Sequence, residues 1–437
     1  MKILKFGGTS VGSAQRMKDV AKLITAEKHT IVVLSAMSGT TNSLVEISDY
    51  LYKKNPDGAN EIINKLAITY YKHADELYGA AEYKQRAKEL ISHHFDYIRT
   101  FTKDLFTLFE ERVVLAQGEL ISTGLMNLYL NESGVKSVLL PALDYMRTDK
   151  NAEPDPVYIK EKLSALLAEN KEADLYITQG YICRNAYGEI DNLQRGGSDY
   201  TASLIGAAVH AGEIQIWTDI DGMHNNDPRY VENTSPVRQL HFEEAAELAY
   251  FGAKILHPTC ILPAKLNNIP VRLLNTIQPD ALGTLISNET EKGKIKAVAA
   301  KDNITAIKIK SGRMLLATGF LRKVFEIFEN YQTPIDMVTT SEVGVSCTID
   351  SRKRLDEIVD DLKKYGTVTV DEDLVIICVV GDLEWDNVGF EASIVYALKD
   401  IPVRMISYGG SDYNVSLLVK SSDKKRALQA LSRHLFN

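Results

Sequence analysis

The feature that most restricts the fold of this chain is an alternation of short apolar strands with helices, in which each strand ends in a polar or glycine-containing turn. The segment 30–35, Thr-Ile-Val-Val-Leu-Ser, is typical of a strand buried on both faces of a parallel sheet. A similar strand precedes it at 3–6, and the pattern returns at 135–141, 175–180 and 215–219. Ligands of open α/β sheets bind beyond the carboxyl ends of such strands, so we expect a site in these turns.

Length and composition are those of an ordinary multidomain globular protein. The 437 residues correspond to about three domains. A net charge of −8 argues against holding nucleic acid through non-specific phosphate contacts. Four scattered cysteines without a CxxC pair, and the lack of an HExxH motif, argue against a disulfide framework and a zinc site. Because no signal peptide or long apolar stretch is found, we predict a cytoplasmic protein that does not bind membranes or nucleic acid.

Two regions depart from this alternation. Residues 59–112 contain almost no glycine or proline and no strand signal, which predicts a helical insertion. In the last third of the chain, residues 334–341 align with residues 402–409 at an offset of 68. Each of these segments follows a helix-like stretch that starts at Gly-Phe, and each precedes an alternating strand. This repeat predicts two tandem βαββαβ units, which commonly serve in dimerisation or ligand sensing.

The first candidate site is the strand-to-glycine turn at 5–10, Lys-Phe-Gly-Gly-Thr-Ser. Glycines before a helix let backbone N–H groups approach an anion, and the helix N-terminus favours negative charge. The segment is not a Walker A loop, because no lysine precedes Ser13. An ordinary turn is the alternative. Lys5 ends a buried strand, where an unpaired ammonium is costly, and this favours phosphate binding.

The second candidate site is the segment 194–201, Gln-Arg-Gly-Gly-Ser-Asp-Tyr-Thr, which opens a helix of small apolar residues. Its paired glycines offer another anion site, and Arg195 can hold a carboxylate through two hydrogen bonds. Asp199 falls in the first helical turn, where a favourable interaction with the helix dipole explains it as well as a function does.

Three further segments carry candidate groups with plain structural alternatives. The acidic residues at 217–229 follow a strand, where they are suited to binding a nucleotide or a metal; the alternative is that they only form turns. Lys254 is suited to binding a phosphate group; the alternative is that it is a lysine exposed to solvent on a helix. Glu119 lies in an apolar, small-residue helical stretch, where a carboxylate is either exposed or holds a cation such as an amino group.

Together, these motifs resemble the aspartate kinases of the amino-acid kinase family, and the resemblance covers essentially the whole chain. The motifs at 5–10, 195–199, 217–219 and 251–254 occur in the order found in that family. The resemblance implies a carbamate-kinase-like αβα sandwich with a mostly parallel sheet at 1–296. It also implies two ferredoxin-like ACT units at 297–371 and 372–437, in a monofunctional enzyme without a homoserine dehydrogenase domain.

The implied reaction is phosphoryl transfer from ATP, with Mg²⁺, to the side-chain carboxylate of L-aspartate, the first step towards lysine, threonine and methionine. This carboxylate, with a pKa of about 3.9, is already ionised at pH 7, so the site must supply positive charge and positioning rather than a base. The implied catalytic residues are Lys5 and Asp199, of which Asp199 orients Lys5 or holds Mg-ATP. Besides Lys5, the implied ATP contacts are Gly7, Gly8, Ser10, Thr218, Asp219, His224, Arg229 and Lys254. The implied aspartate contacts are Ser35, Thr41, Glu119, Tyr181, Arg195 and Ser198.

The tandem tail implies feedback control and a homodimer or higher homo-oligomer formed through the ACT units. By resemblance to the lysine-inhibited branch, the effector contacts are Met314, Gly319, Phe320, Leu321, Asp336, Thr340 and Ser341. Asp336 would pair with the side-chain ammonium of lysine. The alternative is that its carboxylate caps a helix or lies at the edge of a strand. Threonine, or no effector, remains an alternative.

Two other functions remain compatible with the sequence. One is an enzyme of the same fold that phosphorylates a different carboxylate, and the other is a non-catalytic amino-acid sensor. Glu119 favours an acceptor with a free α-ammonium group. The presence of Lys5, Arg195, Asp199 and Lys254 argues against an inactive scaffold.

Overall fold

The computed structural model describes residues 1–103, 105–193, 196–252, 256–311 and 318–436. They form two compact units, one of residues 1–222 and 256–288, the other of residues 223–255 and 289–437. The strands are β1 (Lys2–Phe6), β2 (Thr30–Leu34), β3 (Ser137–Leu140), β4 (Leu175–Gln179), β5 (Ile182–Arg184), β6 (Ile190–Asn192), β7 (Glu213–Thr218), β8 (Gln239–His241), β9 (Val271–Asn275), β10 (Thr284–Ser287), β11 (Ile295–Lys310), β12 (Val338–Ser341), β13 (Gly344–Ile349), β14 (Thr367–Gly381), β15 (Met405–Ser407) and β16 (Asn414–Lys420).

Helices cover much of the remaining chain. They are α1 (Ala14–Thr25), α2 (Thr40–Tyr52), α3 (Pro56–Leu77), α4 (Ala81–Thr100), α5 (Leu108–Glu132), α6 (Ala142–Tyr145), α7 (Pro156–Glu169), α8 (Gly197–Val209), α9 (Phe242–Tyr250), α10 (Pro258–Leu266), α11 (Phe320–Asn330), α12 (Leu355–Lys363), α13 (Phe390–Ala397) and α14 (Lys424–Leu435). None of the helices among the described residues combines the length and apolar character needed to cross a bilayer.

The sheet of the first unit is mainly parallel and includes the strands β3-β4-β2-β1-β7-β9-β10 in that order. Strand β1 pairs in parallel with β2 and β7, β2 with β4, and β7 with β9, whereas β10 runs antiparallel to β9. Every residue of β2 is buried, in agreement with its uninterrupted apolar sequence. The predicted mostly parallel α/β fold is therefore confirmed.

The register of these strands brings their carboxyl ends to one edge of the sheet. Phe6 lies opposite both Leu34 and Trp217, and Leu34 lies opposite Gln179. Consequently the turns that follow β1, β2, β4 and β7 all start at this edge, although they are far apart in sequence. The candidate residues that lie at or directly after these strand ends are Lys5, Gly7, Gly8, Ser35, Tyr181, Thr218 and Asp219.

Residues 59–112 lie within α3, α4 and the start of α5, apart from the links between helices. The helices share an apolar core in which the rings of Tyr70 and Phe95 meet edge to face, 5.7 Å apart. Helix α5 begins with a capping box, in which Thr107 and Glu110 satisfy each other's backbone N–H groups. This cap fixes the start of the helix that carries Glu119.

The second unit contains a six-stranded sheet in the order β12-β13-β11-β14-β16-β15. Two apolar clusters lie against it, one including α11 and α12, the other including α13 and α14. Both α11 and α13 start directly after a glycine, Gly319 or Gly389, whose φ of 86° or 94° is in the left-handed region. The predicted tandem of ACT-type units is thus present.

The two ACT-type units share their longest strands. The second part of β11, from Ile304 to Lys310, pairs with β13 and with the first part of β14. Its first part, from Ile295 to Lys301, pairs with the second part of β14, which in turn pairs with β16. This interleaving is not among the features predicted from the sequence. The predicted boundaries at 296/297 and 371/372 stay predictions.

Candidate functional site

A buried ion pair stands at the carboxyl edge of the parallel sheet. The Nζ atom of Lys5 lies 2.6 Å from Oδ1 of Asp199, with only 11% and 16% of the two side chains exposed. Lys5 precedes the last residue of β1 and lies between apolar neighbours, Val33 on β2 and Ile216 on β7. Because an unpaired ammonium is costly in such surroundings, Asp199 stabilises the charge there. The structure therefore brings together the two residues predicted to be catalytic.

The glycine turn after β1 is in close contact with the turn after β2. A Cβ atom on Gly8 would lie 2.7 Å from the carbonyl oxygen of Ala36, so no larger residue fits without a shift of the backbone. The N–H of Ser38 donates to the carbonyl of Gly8 at 3.1 Å, and the N–H of Ser10 donates to that of Gly7 at 3.0 Å. These contacts order a small-residue surface beside Lys5, as an anion site requires.

The start of α8 is shaped by two glycines with positive φ, Gly196 at 82° and Gly197 at 28°. A Cβ atom on Gly196 would collide with Sγ of Cys260 on α10, and one on Gly197 would lie 2.8 Å from the ring of Tyr181. Helix α10 therefore packs directly against Gly196, and Tyr181 against Gly197, shortly before Asp199. Arg195 lies outside the described residues.

Tyr181, between β4 and β5, has a φ of 68°, which is unfavourable for a residue with a side chain. Its N–H donates to Oγ1 of Thr201 at 3.0 Å, and its carbonyl accepts from the N–H of Leu193 at 2.7 Å. Burial raises the pKa of Tyr181 to about 12, so the phenol is neutral at pH 7. Nearby, the hydroxyl of Ser35 donates to that of Ser198 at 2.9 Å and joins the turn after β2 to α8.

Glu119 is a buried carboxylate in the middle of α5, with 4% of the residue exposed. Its Oε1 accepts the N–H of Ala36 at 3.2 Å, and the described residues form no salt bridge to it. Burial raises the pKa of Glu119 to about 8, against the opposing effect of the Ala36 N–H. Gly118, next to Glu119, allows α5 to pack close to Ala36, because a Cβ atom at position 118 would lie only 2.8 Å from the Cβ of Ala36. An ammonium group placed beside Glu119 would offset the cost of its burial.

The remaining candidates for ATP contacts are distributed over both units. Thr218 ends β7, and the exposed Asp219 follows it at the same edge as Lys5. His224 and Arg229 belong to the second unit, where His224 contacts Thr234 at 2.8 Å and Arg229 pairs with Asp227 at 2.6 Å. Lys254 lies outside the described residues. Among the described contacts within the first unit, none joins Thr218 or Asp219 to the Lys5–Asp199 pair.

Several residues at this edge were not found from the sequence. Ser122 on α5 donates to the carbonyl of Ser35 at 2.8 Å, and Thr201 on α8 holds the backbone of Tyr181. Thr41 was predicted as a substrate contact and is exposed in the first turn of α2. The adjacent Thr40 is buried and bonds to Tyr70 at 2.8 Å. Gly118, next to Glu119, is a sequence signal that indicates close helix packing at this position.

The predicted effector residues of the second unit differ in environment. Gly319 precedes α11, Phe320 is buried in the core beneath it, and Leu321 is exposed. Thr340 and Ser341 are exposed on β12, whereas Met314 lies outside the described residues. Phe320 therefore contributes packing within the described unit.

The side chain of Asp336 is 1% exposed and forms an ion pair with Lys301, whose Nζ lies 2.6 Å from Oδ1. The same oxygen accepts the hydroxyl of Tyr250, on α9, at 2.9 Å. Burial raises the pKa of Asp336, although Lys301 opposes this effect. The predicted effector carboxylate thus already has a cation as a partner within its own chain.

Comparisons with known proteins agree with this architecture. The profile of the "Amino acid kinase family" matches residues 1–275, and that of an "ACT domain" matches residues 377–435. The chain is 33% identical to lysine-sensitive aspartokinase 3 of Escherichia coli, over 99% of both sequences. Crystal structures of E. coli aspartokinase III superimpose over 100% of both chains. The R-state complex with aspartate and ADP has a TM-score of 0.84 at 32% identity, and the T-state complex with lysine and aspartate has one of 0.82 at 33%.

Proposed function

The chain belongs to the aspartokinases of the amino acid kinase family, and we propose that it transfers the terminal phosphoryl group of ATP to the side-chain carboxylate of L-aspartate, forming 4-phospho-L-aspartate and ADP. Membership of this family confirms the resemblance inferred from the sequence. The related E. coli enzyme binds aspartate and ADP in its crystal structure, which supports the same substrates here.

The observation that carries the choice of acceptor is the burial of Glu119. A carboxylate with a pKa raised to about 8, without a salt bridge among the described residues, is stabilised by an incoming ammonium. We assign it to the α-ammonium of aspartate. An acceptor without a free amino group would leave this carboxylate uncompensated. Ser35, Ser198 and Tyr181, which line the same edge, are the further contacts proposed for aspartate, together with Thr41 and Arg195.

Charge neutralisation is the main task of this site, because the acceptor carboxylate is already ionised and approaches a polyanion. Lys5 would stabilise the transferring phosphoryl group from the edge of the sheet, beside the glycine turn at 7–10. Asp199 would hold the Lys5 ammonium in position through their 2.6 Å contact and needs to remove no proton. Thr218, Asp219, His224, Arg229 and Lys254 remain proposed ATP contacts.

The residues at the site fit a Mg²⁺ ion that is bound mainly by the triphosphate. The described residues contain no group of three or more histidine, cysteine or acidic side chains able to hold a metal. Asp199 offers one carboxylate beside Lys5, and Mg²⁺ usually takes one or two carboxylates together with the phosphates of its nucleotide. Asp199 is the carboxylate proposed for this ion, whose role is to neutralise charge on the phosphates.

The ACT-type units are proposed to bind lysine as a feedback inhibitor. Support comes from the lysine complex of the related T-state enzyme and from the buried carboxylate of Asp336. Gly319, Phe320, Leu321, Thr340, Ser341 and Met314 are the further proposed contacts. A homodimer or higher homo-oligomer through these units, and a cytoplasmic location, stay predictions from the sequence.

The test is ADP release from Mg-ATP, measured with and without L-aspartate while lysine is titrated. We expect turnover that requires aspartate and falls as lysine rises. ADP release that is indifferent to aspartate but rises with N-acetylated or longer acidic substrates would overturn the acceptor assignment. Turnover that requires aspartate but ignores lysine would retain the kinase and remove the effector.

A further inference from the structure

We propose that Gln179 is a positioning residue that holds Glu119 in place for the ammonium group of the acceptor. This inference rests on the proposed function and adds a residue that lies behind the proposed aspartate contacts. Three observations support it. They are a buried chain of hydrogen bonds from Gln179 to the backbone of Glu119, a second connection between α5 and the neighbouring strand, and the long hydrogen bond that Glu119 itself makes.

The side-chain amide of Gln179 is buried and has a partner on each side. Gln179 is the last residue of β4, and only 1% of it is exposed. Its Oε1 accepts the N–H of Ala142 at 2.7 Å, at the start of α6. Because this N–H requires an oxygen, the orientation of the amide is fixed and Nε2 faces the opposite way. There Nε2 donates to Oγ1 of Thr123, on α5, at 2.8 Å.

The hydroxyl of Thr123 continues this chain of hydrogen bonds to the turn of α5 that carries Glu119. Since its oxygen accepts from Gln179, its own proton is directed to the carbonyl of Glu119, at 2.8 Å. Thr123 is 0% exposed. In such surroundings of low dielectric constant, hydrogen bonds that form a chain strengthen one another. Gln179 therefore holds the backbone of Glu119 through a single intervening side chain.

A second connection fixes the same turn of α5 to the end of the neighbouring strand β2. The hydroxyl of Ser122 donates to the carbonyl of Ser35 at 2.8 Å, directly after that strand. Two adjacent residues of α5 are thus bonded to the ends of two adjacent strands, and this opposes rotation of the helix about its axis. When a helix rotates by about 10°, a side-chain end at roughly 5–6 Å from its axis moves by about 1 Å.

The carboxylate of Glu119 is sensitive to a displacement of that size. Its hydrogen bond from the N–H of Ala36 is already long, at 3.2 Å, so a further shift of about 1 Å would break it. The same shift would misplace the carboxylate relative to the substrate ammonium, and a misplacement of about 1 Å costs up to about 100-fold in activity. Gln179 also lies two residues before Tyr181, so it sets the place of Glu119 relative to another proposed aspartate contact.

The experiment compares the steady-state kinetics of wild type, Thr123→Val, Thr123→Ser and Thr178→Val. Thr123→Val keeps the shape of the side chain but removes the hydroxyl, which Thr123→Ser retains. The matched control, Thr178→Val, removes a buried 2.7 Å contact with the hydroxyl of Tyr145, at the residue next to Gln179 on β4.

We expect Thr123→Val to raise the KM for aspartate at least about tenfold, while kcat and the KM for ATP stay within about threefold. The reason is that an ammonium held equally in the ground state and the transition state affects KM alone. Thr123→Ser and Thr178→Val should keep the KM for aspartate within about threefold of wild type. Gln179→Met, which removes the amide at similar length, should raise this KM as Thr123→Val does.

An unchanged KM for aspartate in either Thr123→Val or Gln179→Met would overturn the inference and leave the proposed function intact. Equal changes in Thr123→Val and Thr178→Val, including loss of folded protein in both, would also overturn it, because these bonds would then serve the fold in general. A wild-type enzyme whose ADP release does not require aspartate would overturn the proposed function and the inference together.

Discussion

Replacement of Glu119 by glutamine tests the acceptor assignment most directly. The amide keeps the size of the side chain, and its oxygen can still accept the N–H of Ala36, but it cannot become negative. A hydrogen bond to a charged group contributes about 1.5–3 kcal/mol, so its loss corresponds to a rise of roughly 10- to 150-fold in the KM for aspartate at a pH above about 8, where Glu119 is already ionised. The rise should be smaller at pH 7, because the cost of ionising Glu119 offsets part of this contribution in the wild type. The KM for ATP should stay within about twofold, because ATP makes no contact with this group in the proposed mechanism.

The raised pKa of Glu119 adds a second, independent readout. With a pKa of about 8 in the free enzyme, Glu119 is mostly protonated at pH 7, and it must ionise to pair with the substrate ammonium. Binding of aspartate at pH 7 should therefore release most of one proton, which opposes binding by roughly 1 kcal/mol. Affinity for aspartate should rise with pH up to about 8 and then level off.

The assay is calorimetric titration of aspartate in two buffers with different ionisation enthalpies, combined with steady-state kinetics. Wild type should show proton release and Glu119→Gln should show none. Glu46→Gln, which removes an exposed carboxylate from α2, is the control and should behave like wild type. An unchanged KM for aspartate in Glu119→Gln, or equal proton release by both proteins, would refute the reasoning.

Three further variants test the phosphate site, the glycine turn and the effector carboxylate. Lys5→Met should lower kcat by roughly 10²–10³-fold, which is the usual effect of losing a group that stabilises transition-state charge. The control Lys2→Met, which removes an exposed ion pair, should leave kcat unchanged. Similar kcat values for the two variants would exclude Lys5 from catalysis. Gly8→Ala should destabilise the fold by about 1–3 kcal/mol in denaturant titrations because its Cβ meets a carbonyl at 2.7 Å, whereas Gly410→Ala, with open space around it, should be nearly neutral. Asp336→Asn should weaken lysine binding at least about tenfold by calorimetry, because a charge-assisted contact is lost. Unaltered lysine binding in that variant would show that Asp336 does not pair with the effector.

Much of the fold follows from local patterns in the sequence. The apolar run at 30–35 and the glycine turn after Phe6 predict buried parallel strands with functional turns, because strand periodicity and turn chemistry depend on neighbouring residues. The repeat at 334–341 and 402–409 predicts the tandem units for the same reason. Strands β5, β6 and β8 have only three residues each, too few to show a period.

The sharing of β11 and β14 between the two ACT-type units has no local signal. Both strands are long, but the partner of each half is set by register shifts near Lys301 and Ile304. These shifts depend on which apolar cluster each half must cover. Such a choice is made by packing between segments that are distant in sequence.

The sequence by itself determined that Lys5, Glu119 and Asp199 are candidates, because a charged residue within an apolar or glycine-rich stretch needs an explanation, and the family resemblance added Asp336. Only the tertiary structure decided what each of them contacts. It paired Lys5 with Asp199, left Glu119 buried without a salt bridge among the described residues, and gave Asp336 the partner Lys301. The physical reason is that the free energy of a buried charge depends on its surroundings in space. Those surroundings come from strands and helices that only the fold brings together.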